Sequence, residues 1–269
     1  MGIDERIIRA GGSGLGSFLT LTVSSWRSAL GRNLAGVYVH GSLSIGAFNS
    51  RTSDIDLLAT TRTLTDGPAN ERLREVHQAM QGWGDDGWAD RLEAIFVPAK
   101  TLTLPGIPRL PVLELHPDEG LNVQPLGPDF VLQKWILRQH GITLYGPRIA
   151  KIVAPVGAHE LREAVLGTLR ESWLPQLEFP GEFLKRVYQA YAVLTMCRAL
   201  CLLITGDVVT KPEAASWAMR APYLEIWHPL IQSVVAYPGG VQPDQRLATL
   251  DFVRFTLDEA GIGHAPPSS

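Results

Sequence analysis

Cysteine is scarce in this sequence, positive charge is not in excess, and no apolar run reaches the length of a membrane helix. The two cysteines, Cys197 and Cys201, lie four residues apart in a helical pattern, which favours two packed apolar side chains over a disulfide or a metal site. The 24 basic and 27 acidic residues give a formal charge of −3. Because a nucleic-acid partner usually requires a basic surface, this balance favours a small cationic partner and no nucleic acid.

The first residues also lack the charged and then apolar pattern of a signal peptide. Together with the shortness of the apolar runs, this predicts a cytoplasmic protein without a membrane segment. We also expect the chain to be a monomer.

The first half of the chain alternates between strand and helix patterns. Short apolar runs predict four strands, over residues 35–40, Asp54–Thr60, Arg91–Val97 and Val112–His116. Helices are predicted up to about residue 33 and over Pro68–Gln81, which has a proline at its start. Strands interleaved with helices predict an α/β or α+β first half.

Helical periodicity dominates after about Pro128, and no strand is predicted there. The predicted helices span Asp129–His140, Ala158–Trp173, Glu182–Thr205, Pro212–Met219 and Gln242–Ala260. The change of pattern predicts an α+β protein with two domains. The first, over residues 1–150, has a mixed sheet with helices, and the second, over residues 151–269, is all-helical.

One combination of residues indicates a chemistry. His40-Gly41-Ser42 follows the first predicted strand, and Asp54-Ile55-Asp56 opens the second. A glycine at a strand end leaves backbone N–H groups and the Ser42 hydroxyl able to hold a phosphate. Asp54 and Asp56, at positions i and i+2 of a strand, project from one face roughly 7 Å apart along it. Two carboxylates on one face repel each other unless a bound cation compensates their charge. Mg²⁺ prefers such oxygen ligands and usually completes its coordination with substrate phosphates.

Each part of this motif is common alone, in turns or at strand starts, but the combination between two apolar strands predicts a metal-assisted phosphoryl-transfer site. Glu93, in the third predicted strand, is the next candidate. A third carboxylate on a neighbouring strand can bind metal or act as a general base. The alternative is an ordinary solvated glutamate.

The motif resembles a known signature. Gly41-Ser42, followed by Ser53-Asp54-Ile55-Asp56, is similar to the signature of the polymerase-β-like nucleotidyltransferases. More narrowly, the chain resembles the aminoglycoside 3''(9)-adenylyltransferases, which modify streptomycin and spectinomycin. The segments that carry this resemblance in the second half are His140–Pro147, Ala192–Arg198, Thr205-Gly206 and Lys211–Met219.

The resemblance implies an enzyme that moves AMP from ATP to a hydroxyl of a cationic aminoglycoside or aminocyclitol, a reaction associated with antibiotic resistance. It implies two Mg²⁺ ions held by Asp54, Asp56 and Glu93, with Glu93 accepting the proton of the attacking hydroxyl. The implied nucleotide contacts are Gly41, Ser42, Ser53, Lys211 and Arg198. Lys211 would pair with the phosphates, for which a lysine suits as a point charge.

The residues expected to bind the acceptor depart from that family. The family has acidic residues just before its Leu-Thr motif, whereas the aligned position here is Tyr188. Trp173, Glu178 and Glu182 could supply aromatic and acidic groups for a cationic acceptor, or could be ordinary core and surface residues. Three alternatives stay open: another small natural-product hydroxyl as the acceptor, a protein or RNA end as the acceptor, or a non-catalytic protein that binds nucleotide or drug.

Overall fold

A computed structural model of the chain describes residues 4–81, 83, 87–106, 109–117, 119–236 and 243–263. The chain divides into two compact units between Val156 and Gly157. The first unit contains a sheet and helices, and the second is built from helices. The predicted α+β fold is therefore confirmed.

The first unit consists of a six-stranded sheet and its helices. The helices are α1 (Glu5–Leu30), α2 (Gly41–Ser44), α3 (Gly67–Met80) and α4 (Phe130–His140). The strands are β1 (Leu34–Val39), β2 (Ile55–Thr61), β3 (Leu92–Pro98), β4 (Pro111–His116), β5 (Gly120–Pro125) and β6 (Ile142–Tyr145).

The strand order is β5-β4-β3-β2-β1-β6, with β2 and β3 parallel and every other pair antiparallel. The three strands that carry the motif residues are therefore neighbours inside the sheet. Because β2 and β3 are parallel, both begin at the same end of the sheet. The end of β1 lies at that end too, since β1 is antiparallel to β2.

Helices cover both faces of this sheet. On one face, Trp26 of α1 and Leu73 of α3 pack in a cluster with Leu57 of β2. On the other face, Leu58 of β2 packs in a cluster with Phe130 of α4. Burial on both faces explains why β2 and β3 appear in the sequence as apolar runs rather than as a regular alternation.

The second unit is arranged around one long helix. Its helices are α5 (Ala158–Thr168), α6 (Leu174–Glu178), α7 (Arg186–Thr205), α8 (Lys211–Ala218), α9 (His228–Ala236) and α10 (Arg246–Glu259). α7 ends at Gly206, which has the left-handed conformation that glycine adopts without strain. α8 begins with a capping box between Thr210 and Glu213.

By length and composition, α7 is the one helix within the described ranges that could cross a membrane. This is weak evidence for a membrane segment, because the core helix of a globular unit has the same properties. Nine residues of α7 are buried in the helical unit, Cys197 and Cys201 among them. Both cysteines are free, which confirms their prediction as packed side chains.

The structure corrects the sequence prediction in several elements. The prediction of no strand after Pro128 is wrong, because Ile142–Tyr145 forms β6 along the edge of β1. Strand β5 and helix α9 were not predicted. The helix predicted from Glu182 begins as a 3₁₀ turn over Pro180–Leu184, and α7 itself starts at Arg186.

The ends of two other predicted helices also differ. The helix predicted over Ala158–Trp173 changes after Thr168 to a π-helical turn over Leu169–Trp173. The last predicted helix begins at Arg246 rather than at Gln242, which lies outside the described residues.

Candidate active site

Asp56 and Glu93 are direct partners in the parallel register of β2 and β3. Paired residues of neighbouring strands project from the same face, with their Cβ atoms about 5 Å apart. Asp54 lies two residues before Asp56, immediately ahead of the strand, and is exposed. The structure therefore brings Asp56 and Glu93 together as the sequence predicted, and Asp54 precedes the strand at the same end of the sheet.

Gly41 lies directly against the Asp56 carboxylate. The backbone N–H of His40 donates to the carbonyl oxygen of Asp56 at 3.0 Å, which holds the end of β1 beside β2. Gly41 then turns the chain with a φ of +57°, and a Cβ atom there would lie 2.5 Å from Cγ of Asp56 and closer still to Oδ2. Only glycine combines this backbone conformation with so close an approach. Ser42 follows, half-buried, in the short helix α2.

Ser53 lies in the loop before Asp54 and has a local structural partner. Its hydroxyl accepts a hydrogen bond from the backbone N–H of Asn49 at 3.0 Å. Arg91, just before β3, donates to the carbonyl oxygens of Ser50 at 2.8 Å and Ser53 at 3.3 Å. Arg91 thus ties the loop before β2 to the start of β3, so that the two strands begin in register and Asp56 meets Glu93.

Two histidines, His40 and His116, lie beside these carboxylates, and neither was among the predicted site residues. His40 is buried, and burial lowers its pKa while the charge of Asp56 opposes that shift. His116, at the end of β4, has its pKa raised first by its hydrogen bond to Glu114, with a smaller contribution from the charge of Glu93. The register of β3 and β4, continued by one residue, places His116 opposite Glu93.

Acidic side chains extend further across the same end of the sheet. The pKa of Asp129 is raised by its desolvation and by the charge of Glu114. Asp129 also accepts a hydrogen bond from Gln133 at 2.8 Å. The line of carboxylates runs from Asp56 through Glu93 to Glu114, and His116 lies among them, hydrogen-bonded to Glu114.

The carboxylates fit a magnesium ion that shares its coordination with a substrate. Within the described part of the chain, no group of three or more His, Cys, Asp and Glu side chains is arranged to hold a metal on its own. Mg²⁺ is usually bound by one or two carboxylates plus waters and substrate phosphates, rather than by a cage of protein ligands. Asp56 and Glu93, as register partners, meet that requirement.

The predicted acceptor residues of the helical unit are only partly brought together. Trp173 and Tyr188 stack with their ring centroids 6.1 Å apart. Tyr191, which was not among the predicted residues, joins them. Its ring centroid lies 5.9 Å from that of Trp173 and 5.6 Å from that of Tyr188. Phe183 completes this aromatic cluster with an edge-on contact to Tyr188 at 5.3 Å.

Lys211 lies beside the aromatic cluster. Its ammonium nitrogen is 4.8 Å from the centroid of the Tyr191 ring. Position 191 follows position 188 by three residues on a helix, so the two face the same side. That spacing is the sequence signal by which Tyr191 could have been found.

The remaining predicted residues of the helical unit, Glu182, Glu178 and Arg198, lie on three different elements. Glu182 is exposed and pairs with Lys185 at 3.0 Å, and Glu178 is exposed at the end of α6. Arg198 is half-buried on α7. Burial raises the pKa of Tyr188 to about 12, and its hydroxyl donates to Oε1 of Gln176 at 2.6 Å.

Comparison with known proteins gives a consistent result. Residues 151–255 match the family described as "Aminoglycoside adenylyltransferase, C-terminal domain". An aminoglycoside (3'') (9) adenylyltransferase of Rhizobium radiobacter is 30% identical over 127 residues, which are 45% of this chain and 44% of the relative. A spectinomycin 9-adenylyltransferase of Campylobacter jejuni is 25% identical over 142 residues, which are 49% of this chain and 50% of the relative. The chain thus spans half or less of the length of these relatives.

A solved structure extends the likeness to both units. The spectinomycin adenyltransferase of Enterococcus faecialis, solved with ATP and spectinomycin, matches with a TM-score of 0.70 and 15% sequence identity. The match covers 91% of this chain and 99% of that one. At this identity the match establishes the fold, and it confirms the predicted α+β architecture with a helical second unit.

Proposed function

The chain is related to the aminoglycoside 3''(9)-adenylyltransferases by sequence and to a spectinomycin adenyltransferase by fold, and on this premise we propose that it is an adenylyltransferase. The reaction moves AMP from ATP to a hydroxyl of a cationic aminoglycoside or aminocyclitol of the streptomycin or spectinomycin type. The observation that carries the proposal is the pairing of Asp56 with Glu93 against Gly41.

Glu93 is the general base in this mechanism. It accepts the proton of the acceptor hydroxyl as that oxygen attacks the α-phosphorus of ATP. The new phosphorus–oxygen bond forms in line with the bond to the β-phosphate oxygen, which breaks and releases pyrophosphate. A positioned base of this kind contributes about 10²–10⁴-fold to the rate. Positioning and electrostatic stabilisation supply most of the remainder.

Asp54, Asp56 and Glu93 would hold Mg²⁺. When bound, the metal neutralises charge on the phosphate oxygens and orients them. Gly41 and Ser42 hold the phosphates through backbone N–H groups and the hydroxyl, and Lys211 contacts the phosphates as a point charge. Ser53 acts through the loop that places Asp54.

Pyrophosphate release from Mg·ATP tests the proposal, with streptomycin and spectinomycin as acceptors in separate reactions. Glu93→Gln should lower kcat by about 10²–10⁴-fold, and Asp56→Asn should abolish turnover. Glu75→Gln is the matched control, because Glu75 is an exposed glutamate on α3. Each variant should unfold at nearly the wild-type temperature. Unchanged activity in the Glu93 and Asp56 variants would overturn the site assignment.

A second acceptor class is favoured by one observation. Tyr188 has an aromatic phenol where the sequence resemblance implies an acidic residue, and it stacks within the aromatic cluster. Such a surface suits a small natural product with an apolar face as well as a cation. If neither antibiotic supports pyrophosphate release, a panel of small hydroxylated natural products tests this alternative under the same conditions.

A further inference from the structure

The aromatic ring of Tyr191 and the ammonium group of Lys211 are in contact within the helical unit. The ammonium nitrogen lies 4.8 Å from the ring centroid, within the range of a cation–π interaction. Tyr191 is 42% exposed, so this contact is formed at the surface.

The ring of Tyr191 is held in place by its neighbours. Trp173 is buried and stacks with Tyr191 at 5.9 Å, and Tyr188 lies 5.6 Å away on the same helix. The hydroxyl of Tyr188 is itself fixed by its hydrogen bond to Gln176. Because these contacts restrict the Tyr191 ring, the ring can fix the position of a more flexible group.

Lys211 is such a group. Lys211 is the first residue of α8, so its backbone is fixed by the start of that helix. The capping box there is formed by two hydrogen bonds. The backbone N–H of Thr210 donates to Oε2 of Glu213 at 2.8 Å, and the backbone N–H of Glu213 donates to Oγ1 of Thr210 at 3.3 Å. The side chain of Lys211 is a flexible four-carbon stem that carries a point charge. An aromatic face attracts an ammonium group without neutralising its charge.

We propose that Tyr191 is a positioning residue that holds the Lys211 ammonium group in place for the triphosphate of the nucleotide. This inference rests on the proposed function, since it assumes that Lys211 binds the phosphates. Tyr191 touches neither substrate nor reacting atoms in this role and acts through Lys211. Its removal should weaken nucleotide binding while the chemical step changes little.

A double-mutant cycle tests the inference. ATP affinity is measured by calorimetry in the presence of Mg²⁺ for the wild type, Tyr191→Leu, Lys211→Ala and the double variant. Loss of a cation–π contact at an exposed site corresponds to about a two- to fivefold loss of affinity. We expect Tyr191→Leu to have this effect in the wild type and no effect in the Lys211→Ala background. Tyr191→Phe, which keeps the aromatic face, should restore affinity to near the wild-type value.

The outcomes separate this inference from the proposed function. Equal losses from Tyr191→Leu in both backgrounds would show that the ring acts by packing, and would overturn the inference. An unchanged ATP affinity in Lys211→Ala would overturn it as well. The effects of the Tyr191 and Lys211 substitutions on ATP affinity could be coupled while no acceptor supports pyrophosphate release from ATP. That result would support the inference and contradict the proposed function. Tyr191→Met replaces the leucine variant if the latter does not fold, as judged by thermal unfolding.

Discussion

Replacing Gly41 with alanine tests whether the Asp56 carboxylate acts from the position that the structure gives it. The added Cβ atom would lie 2.5 Å from Cγ of Asp56, whereas ordinary contact begins near 3.4 Å. The carboxylate must therefore retreat by about 1 Å. A misplacement of about 1 Å in a catalytic group can cost about 10²-fold in rate.

The same substitution also strains the backbone. Gly41 has a φ of +57°, and an L side chain in the left-handed region costs about 1–2 kcal/mol. We therefore expect Gly41→Ala to lower kcat/KM for pyrophosphate release by about 100-fold and the free energy of unfolding by about 1–2 kcal/mol. Activity is measured with Mg·ATP and the accepted hydroxyl compound, and stability by urea unfolding.

Gly46, just after α2, supplies a matched control. It has a φ of +78°, but nothing lies within 4 Å of the position of its Cβ atom, and it is exposed. Gly46→Ala should show a similar loss of stability and nearly wild-type activity. If Gly41→Ala stays within about threefold of the wild type, far from the 100-fold loss expected for a displaced carboxylate, the Asp56 assignment is refuted. If both variants lose activity equally, backbone strain rather than displacement of Asp56 is the cause.

Three further predictions concern buried polar groups. Burial lowers the pKa of His77 to about 4 from 6.5, and its Nε2 accepts a hydrogen bond from Trp26 at 2.9 Å. Neutral His77 is favoured in the folded protein, so the stability that it contributes is fully present above pH 6.5 and is lost as the pH falls towards 4, by up to about 3 kcal/mol. His77→Gln should flatten this part of the pH dependence of the free energy of unfolding, measured with urea. An unchanged slope would contradict the prediction. The buried ammonium group of Lys134 donates to the carbonyl oxygen of Leu104 at 2.8 Å. Lys134→Met should therefore lower the free energy of unfolding by about 1–3 kcal/mol. An unchanged free energy of unfolding would count against that hydrogen bond. Burial raises the pKa of Cys197 to about 12, so a thiol reagent at pH 8 should label Cys197 only after unfolding, and rapid labelling of the native chain would contradict its placement.

The parts of the site that depend on local sequence were predictable. Asp56 follows from its place on a predicted strand and Gly41 from its place at the end of an apolar run, whereas Asp54, predicted to open that strand, lies just ahead of it. Glu93 was predicted because a third strand was expected beside the second. The parallel register confirms that neighbourhood and pairs Glu93 with Asp56.

The features that depend on tertiary pairing were not predictable. Strand β6 has only four residues and is stabilised by hydrogen bonding to β1, so periodicity over so short a segment gives no signal. His116 lies near Glu93 because β4 pairs with β3 in one particular register, which no local pattern encodes. Tyr191 appeared in the sequence as one more residue of an apolar helix, and its contact with Lys211 depends on how α7 and α8 are placed.

Under the proposed function, the chemical character of position 188 affects how a cationic acceptor would be held. With its pKa raised to about 12 by burial, the Tyr188 phenol is neutral throughout the physiological range. It therefore cannot replace the charge of a carboxylate, and its hydroxyl already donates to Gln176. What it offers is ring surface, together with the exposed ring of Tyr191. Attraction to ring faces is weaker than an ion pair with a desolvated carboxylate and less sensitive to salt, so an acceptor held there would be selected more by its shape and apolar faces than by its number of charges.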